Sequence, residues 1–302
     1  MKTRTGHAAL LGRPNVGKST LLNALAGEHV SIATPKPETT RDRIIAVVTR
    51  PEGQVVVVDT PGIHTARQRL GEYMNREARR ALTDADVVVM VSDASEGVDA
   101  LERDAPVYEA LKFVKNPVLL ALNKIDRLRK PDALLPLLAA FGARYDFAAV
   151  VPISASTGDG VPALLSEILS RLPEGTPAFP ADTLTDRSER YLVAERVREA
   201  VIHETAEELP YVTAVEIDRF DEGAPIPHIA ATIHVERPGQ KKIVVGTGGE
   251  RIKAIGIRAR KSIEKLLGRH VFLELWVKVS PEWTRTPAAL ERLGYGDRGG
   301  ES

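Results

Sequence analysis

The sequence predicts an α/β protein in two parts: a doubly wound, largely parallel sheet, followed by a smaller α+β domain. Three observations carry this. Up to about Leu172, short and nearly continuous apolar runs alternate with segments of helical period, as parallel strands covered on both faces would. From Leu172 to Pro180 the chain then holds three prolines and a glycine, which punctuates it as a linker. Beyond that point the pattern changes to a long helix, β-rich runs and a basic helix, and 302 residues are enough for two domains.

The expected strands of the first part are Ala8–Leu11, Val55–Val58, Val87–Val91, Val118–Leu122 and Ala149–Ile153, with Ile44–Val48 as an extra edge strand. The expected helices are Thr20–Ala26, Glu72–Ala85, Leu101–Leu111, Asp132–Ala140 and Val161–Leu172. In the second part a helix is expected over Ser188–Glu208. Strands follow at Tyr211–Arg219 and His228–Glu236, then a glycine cluster, a basic helix to about Leu267, and a last strand at Val271–Val279. The expected domain limits are 1–175 and 188–302, joined by a linker at 176–187.

Composition narrows the function classes. Forty-one basic and 41 acidic residues give a net charge of +0, so any nucleic-acid signal must be local. With no cysteine, disulfides and thiolate metal sites are excluded. No run approaches the roughly 20 apolar residues of a membrane span, so the expectation is a cytoplasmic monomer without a transmembrane segment.

Gly12-Arg13-Pro14-Asn15-Val16-Gly17-Lys18-Ser19 fits G-x-x-x-x-G-K-[ST], placed after an apolar strand and before a helix. Its glycines let backbone N–H groups close around an anion, and the helix points its positive end there. Asn15, Val16, Gly17, Lys18, Ser19 and Thr20 form the candidate phosphate cradle, with Lys18 on the β- and γ-phosphates and Ser19 on Mg²⁺. Asp59-Thr60-Pro61-Gly62 ends the strand before it. Asp59 is expected to hold Mg²⁺ and the Gly62 N–H to sense the γ-phosphate. Asn123-Lys124-Ile125-Asp126 ends a later strand. The Asp126 carboxylate can accept from guanine N1–H and the 2-amino group together, which adenine cannot offer. Asn123 would face N7, the Lys124 stem would cover the base, and a backbone N–H at Ser154-Ala155 would read O6. The competing reading of Asp126 is a helix N-cap.

In this order, each at a strand end, these elements resemble the translation-factor-like class of P-loop GTPases. The resemblance implies an antiparallel second strand, GTP or GDP with Mg²⁺ as ligands, and a GTP-hydrolysing activity. It assigns Thr40 as the switch threonine on Mg²⁺, with Thr39 as the competing choice. Lys18, Thr40 and Gly62 are then the residues around the reacting γ-phosphate. Many such enzymes follow D-x-x-G with a water-orienting glutamine. Here Ile63 stands there and cannot orient water, so unaided turnover is expected to be slow, on the order of 10⁻⁴ to 10⁻² s⁻¹. Asn15 suggests K⁺ as a second cation, or else it only braces the loop.

In the second part, Gly246-Thr247-Gly248-Gly249 forms a G-x-x-G loop of the kind that clamps single-stranded RNA, although plain turns also give this pattern. Lys241, Lys242, Arg251, Lys253, Arg258, Arg260, Lys261, Lys265 and Arg269 cluster around it, opposed within the segment only by Glu250 and Glu264. Lys241, Lys242, Gly246, Thr247, Gly248, Gly249, Arg251 and Lys253 are the candidate RNA contacts. Ile252, Ile255, Ile257 and Ile263 are expected mainly as core, and Trp276 as a partly buried sheet residue rather than a stacking platform.

This segment resembles a type II K homology domain. Asp186-Arg187-Ser188, Glu208-Leu209-Pro210-Tyr211 and Leu273–Val279 narrow the likeness, from Gly12 to about Tyr295, to one bacterial GTPase family that joins both domains. That resemblance implies binding to the 3′ end of small-subunit ribosomal RNA, a role in small-subunit assembly, and coupling of RNA engagement to nucleotide state. Peripheral membrane association through the same basic surface is a further expectation. Competing functions are an RNA-binding module with little turnover and a GTPase of another RNA-related pathway.

Overall fold

A computed structural model of the chain describes residues 3–34, 36, 40–62, 69–128, 130–205, 209–221 and 223–295. They form two compact units, one built mainly from residues up to Asp186 and the other mainly from Arg187 on.

The first unit holds strands β1 (Arg4–Leu11), β2 (Ile44–Arg50), β3 (Gly53–Asp59), β4 (Val87–Asp93), β5 (Val118–Asn123) and β6 (Ala149–Pro152). They form one sheet in the order β2-β3-β1-β4-β5-β6. Only β2 runs antiparallel, paired with β3. β3, β4 and β5 are buried along their whole length, which is why their sequences are apolar runs and do not alternate. The helices are α1 (Lys18–Ala26), α2 (Arg69–Asp84), α3 (Asp99–Arg103), α4 (Ala105–Leu111), α5 (Leu134–Arg144) and α6 (Val161–Arg171). α1 and α6 pack on β1–β3, while Ala81, Val107, Leu111, Leu137 and Phe141 build the core with Val88, Met90 and Leu120. The chain order reverses around β1, so the carboxyl ends of β1, β3, β4 and β5 open onto one crevice, where such sheets take ligands.

One expectation for this unit needs correction. The helix expected over Leu101–Leu111 is two helices, broken at Asp104 (φ −81°, ψ 3°). Pro106 lacks an N–H and starts a new helix better than it continues an old one. The stretch read as linker also makes hydrogen bonds to β2 and β3. Gln54 exchanges two hydrogen bonds with the Phe179 backbone, at 2.9 and 3.0 Å, and Val47 N–H donates to Leu184 O at 2.9 Å. The edge strand β2 thereby gains a partner for its outward backbone.

The second unit runs α7 (Glu189–Glu204), α8 (Leu209–Val212), β7 (Ala214–Phe220), β8 (His228–Val235), α9 (Pro238–Val245), α10 (Glu250–Leu267), β9 (Phe272–Val279) and α11 (Pro287–Arg292). Ser188 caps α7 by accepting from Tyr191 N–H. The sheet order is β7-β8-β9, antiparallel then parallel. Val197, Val201, Ile229, Ile233, Ile255, Ala259 and Ile263 form its core. The helix expected to reach Glu208 ends at Glu204, and the strand expected from Tyr211 begins at Ala214, after the short α8. α9 and α11 carry too few apolar positions to be seen by period alone.

Candidate nucleotide-binding site and nucleic-acid interface

The phosphate loop leaves β1 and turns into α1 at Gly17, whose φ of 102° suits glycine. A side chain there would also collide, since a Cβ would lie 2.3 Å from Asn123 Nδ2. No side chain caps α1, so its first amides, including those of Ser19 and Thr20, face the loop's concavity. Lys18 is buried, and its Nζ donates to the carbonyls of Gly12 and Arg13 at 2.9 Å. Burial pushes its ammonium down to about 8, against the pull of Asp59. Gly62 packs on this loop so closely that a Cβ would lie 2.8 Å from Pro14 N.

Ser19, Thr40 and Asp59 converge. Asp59 Oδ2 accepts from Ser19 Oγ at 2.7 Å, Ser31 Oγ at 3.0 Å and Thr40 Oγ1 at 3.2 Å, and Ser19 and Thr40 hydroxyls lie 2.8 Å apart. Asp59 Oδ1 is buried without a hydrogen-bond partner among the described residues. Burial pushes this carboxyl up, opposed by Lys18 and the three hydroxyls. An orphaned carboxylate oxygen beside two hydroxyls is a hard, oxygen-only donor set, which fits Mg²⁺. Among the described residues no group of three or more His, Cys, Asp or Glu lies together as a metal cage. Thr39 and Ile63 lie outside the described residues.

At the base site, Asn123 is nearly fully buried and bridges two loops. Its Nδ2 donates to Val16 O at 2.8 Å, and its Oδ1 accepts from Ala155 N–H at 2.9 Å. Nδ2 carries a second hydrogen, which suits a ring nitrogen such as N7. Lys124 adopts φ 66° and reaches Asn15 O at 2.7 Å and Asp93 Oδ2 at 2.5 Å. Burial opposes ionisation of Asp93, but donation from Lys124 and Ser95 outweighs it and holds the carboxyl below its usual range. Asp126 accepts from Ser154 Oγ at 2.7 Å. It is not an N-cap: Lys124 occupies that position of the short 3₁₀ turn Ile125–Arg127. At the stretch expected to offer an O6 donor, Ser154 N–H donates to Asp159 O and Ala155 N–H donates to Asn123 Oδ1. Asp93, Ser31 and Asp104 touch the motif residues Lys124, Asp59 and Arg13 but stand in no motif of fixed spacing, so motif reading did not name them.

In the second unit, Gly246, Gly248 and Gly249 all have positive φ, at 74°, 58° and 81°. A Cβ on Gly246 would lie 2.9 Å from Arg251 N, whereas Gly248 and Gly249 face open space. The loop thus holds one tight glycine and two that leave its outer side clear. Gly249 starts α10 with no side-chain cap, so the helix N-terminus is offered to an anion. Thr247, Lys241, Lys242, Arg251 and Lys253 are exposed around it. Arg251 is held by Ile243 O at 2.6 Å, and Arg258 pairs with Glu204 at 2.7 Å, an acid outside the segment. Beside the loop, a groove of about 320 Å³ runs between α10 and β9, with Ile252, Ile257, Leu273 and Leu275 as floor and Lys253 and Arg260 on its rim. Ile255 and Ile263 are core as expected, but Ile257 is 43% exposed in this groove. Trp276 is 64% exposed, against expectation. β9 is an end strand of this sheet.

Known proteins sort the two halves in the same way. Residues 7–124 match the family described as 50S ribosome-binding GTPase, and residues 208–284 match the KH domain family. A protein named GTPase Era from Xylella fastidiosa (strain M12) is 46% identical over 293 residues, 97% of either chain. Its namesake from Stenotrophomonas maltophilia (strain K279a) is 48% identical over 291 residues, 96% of this chain and 97% of the relative. Two crystal structures align with a TM-score of 0.93 at 41% identity. One is an Era variant from Aquifex aeolicus bound to GDP and AlF₄⁻, covering 97% of this chain and 100% of that one. The other is Era in complex with MgGDPNP and nucleotides 1506–1542 of 16S ribosomal RNA, covering 97% and 99%.

Proposed function

Because the chain belongs to the Era family of GTPases, we propose that it is a GTP-operated clamp on small-subunit ribosomal RNA near its 3′ end, released by hydrolysis during assembly of that subunit. The single observation that supports the RNA half is the glycine loop Gly246–Gly249 opening onto an apolar groove with a cationic rim. Unstacked bases fit such a floor, and the loop and helix N-terminus meet the sugar–phosphate chain. The relative that holds the 16S fragment with MgGDPNP supports the same reading. The domain limits 1–175 and 188–302 belong to it as well, with 176–187 as the connecting strap.

In the nucleotide half, the loop amides, Lys18 and the α1 N-terminus orient the polyphosphate, and Asp126, Asn123 and Lys124 orient guanine. Ser19, Thr40 and Asp59 would hold Mg²⁺, which neutralises charge on the β- and γ-phosphates when bound. Thr40 contacts Ser19 and Asp59 directly, which supports it as the switch threonine.

The test is binding of labelled single-stranded RNA matching that 3′ end, with GDP and with a non-hydrolysable GTP analogue. A Gly246→Asp, Gly249→Asp variant and anionic vesicles run alongside. Tighter binding with the analogue, lost in the variant, is expected. Absence of RNA binding in both states would remove the clamp. Vesicle binding lost in the same variant would assign the basic face to lipid as well. RNA binding without multiple turnover would favour the module that seldom hydrolyses GTP.

A further inference from the structure

Asp104 is a fully buried carboxylate that no nucleotide motif accounts for. It sits in the break between α3 and α4. One of its oxygens accepts from Arg13 Nε at 2.5 Å and the other from Ser92 Oγ at 2.5 Å. Arg13 Nη2 turns to a second acid, Glu96, at 2.6 Å. Arg13 directly follows Gly12 in the phosphate loop, and its own backbone oxygen is one of the two carbonyls holding Lys18. Gly12 is fixed on its other side, since a Cβ there would lie 2.5 Å from Val91 O, just before Ser92.

We propose that Asp104 is a positioning residue for the phosphate site: by gripping Arg13 it fixes the outer arm of the phosphate loop, and so places Lys18 and the loop amides. The proposal rests on residues 15–20 being the phosphate cradle. A guanidinium is planar with donors at fixed angles, so two acids on two of its nitrogens set both the direction and the roll of the side chain. One acid would leave the roll undetermined. The helix break supplies the second requirement, because a continuous helix through residue 104 would carry its side chain on with the turn instead of back toward β4. The charge of Arg13 is occupied by Asp104 and Glu96, so Arg13 acts as an anchor and not as a phosphate-neutralising arginine.

The experiment compares equilibrium binding of GDP and of guanosine to the full chain for wild type, Asp104→Asn, Arg13→Met, the double variant and Glu96→Gln. Thermal unfolding of each is recorded. Guanosine uses the base site but lacks the groups the phosphate loop holds. Asp104→Asn is expected to lose about tenfold to a hundredfold in GDP affinity, the range for a hydrogen bond to a charged group, with guanosine within about twofold. The double variant should bind GDP about as well as Arg13→Met alone, since Arg13→Met already removes the contact that Asp104→Asn weakens. Glu96→Gln, on the partly exposed arm, should show a smaller loss of the same kind and keeps the test open if Asp104→Asn fails to fold. Equal losses for GDP and guanosine, unchanged GDP affinity, or additive single variants would each overturn the proposal. A wild type that binds guanosine as tightly as GDP would instead sink the cradle reading, and the proposal with it.

Discussion

The Lys18 ammonium gives the most direct physical test of the phosphate site. Burial among loop atoms lowers it from 10.5 to about 8, which corresponds to about 3 kcal/mol borne by the charged form in the nucleotide-free protein. The sign follows from linkage. Below pH 8 both folded and unfolded chains are protonated, and the folded one carries the whole cost. Between pH 8 and 10.5 the folded lysine releases its proton while the unfolded one keeps it, so nucleotide-free stability rises with pH in that window. A bound polyphosphate reverses the balance, because opposite charge beside Lys18 favours the ammonium. Nucleotide binding should therefore take up a proton above pH 8. Affinity for labelled GDP, measured from pH 6.5 to 9.5, should be level up to about 8 and then fall by at most tenfold per pH unit. Lys18→Met keeps an unbranched side chain without charge. It should bind GDP weakly at every pH and lose the break. A flat wild-type profile, or the same break in Lys18→Met, would refute the argument.

Two further outcomes follow from the base and phosphate loops. Asp126→Asn replaces one carboxylate acceptor by an amide donor, so GDP affinity should drop by about 10⁴-fold while xanthosine diphosphate, with a carbonyl in place of the 2-amino group, gains; equal losses for both would speak against Asp126 as the base reader. Asn15 stands at φ 66° with its carbonyl already taken by Lys124, which leaves its side chain for a monovalent cation. GTP turnover should be faster in K⁺ than in Na⁺, and the difference should vanish in Asn15→Ala; identical rates in both salts for wild type would leave Asn15 as a brace.

How much of this was legible in the sequence varied with the physics. Strands β3, β4 and β5 are covered on both faces, so their apolar runs alone revealed a parallel sheet. The phosphate and base motifs were legible because backbone geometry and hydrogen-bond chemistry restrict those positions to few residue types. The break at Asp104 was not read, because a helical period continues across it, although Pro106 marks a new helix start; what the buried side chain grips is set by Arg13 and Ser92 and shows only in the structure. Nor was the exposure of Trp276: β9 alternates cleanly, but alternation cannot say whether a second layer covers the outer face. The groove beside the glycine loop was missed for a related reason. Ile252 and Ile257 look like core residues by type, and only their place on α10 beside the end strand β9 turns them into a floor.

Asn123 shows why reading such motifs one at a time undercounts them. Its side chain ties the phosphate loop at Val16 to the loop at Ala155, and lies where a Cβ on Gly17 would have to be. Gly17 is thus needed twice, once for its left-handed backbone and once to admit Asn123. A residue that only read the base could be truncated at the expense of guanosine binding alone. Asn123→Ala instead leaves the Val16 carbonyl and the Ala155 N–H without their buried partner, at about 1–3 kcal/mol for each group left unsatisfied. The variant should therefore unfold at a lower temperature without nucleotide, and lose affinity for guanosine and, by a larger factor, for GDP. Asp126→Asn should leave nucleotide-free stability nearly unchanged, because Ser154 Oγ can still donate to the amide oxygen. Calorimetric unfolding with titration of both ligands separates the two cases. An Asn123→Ala protein with wild-type stability and a loss confined to the base would show that the bridge between the loops contributes nothing.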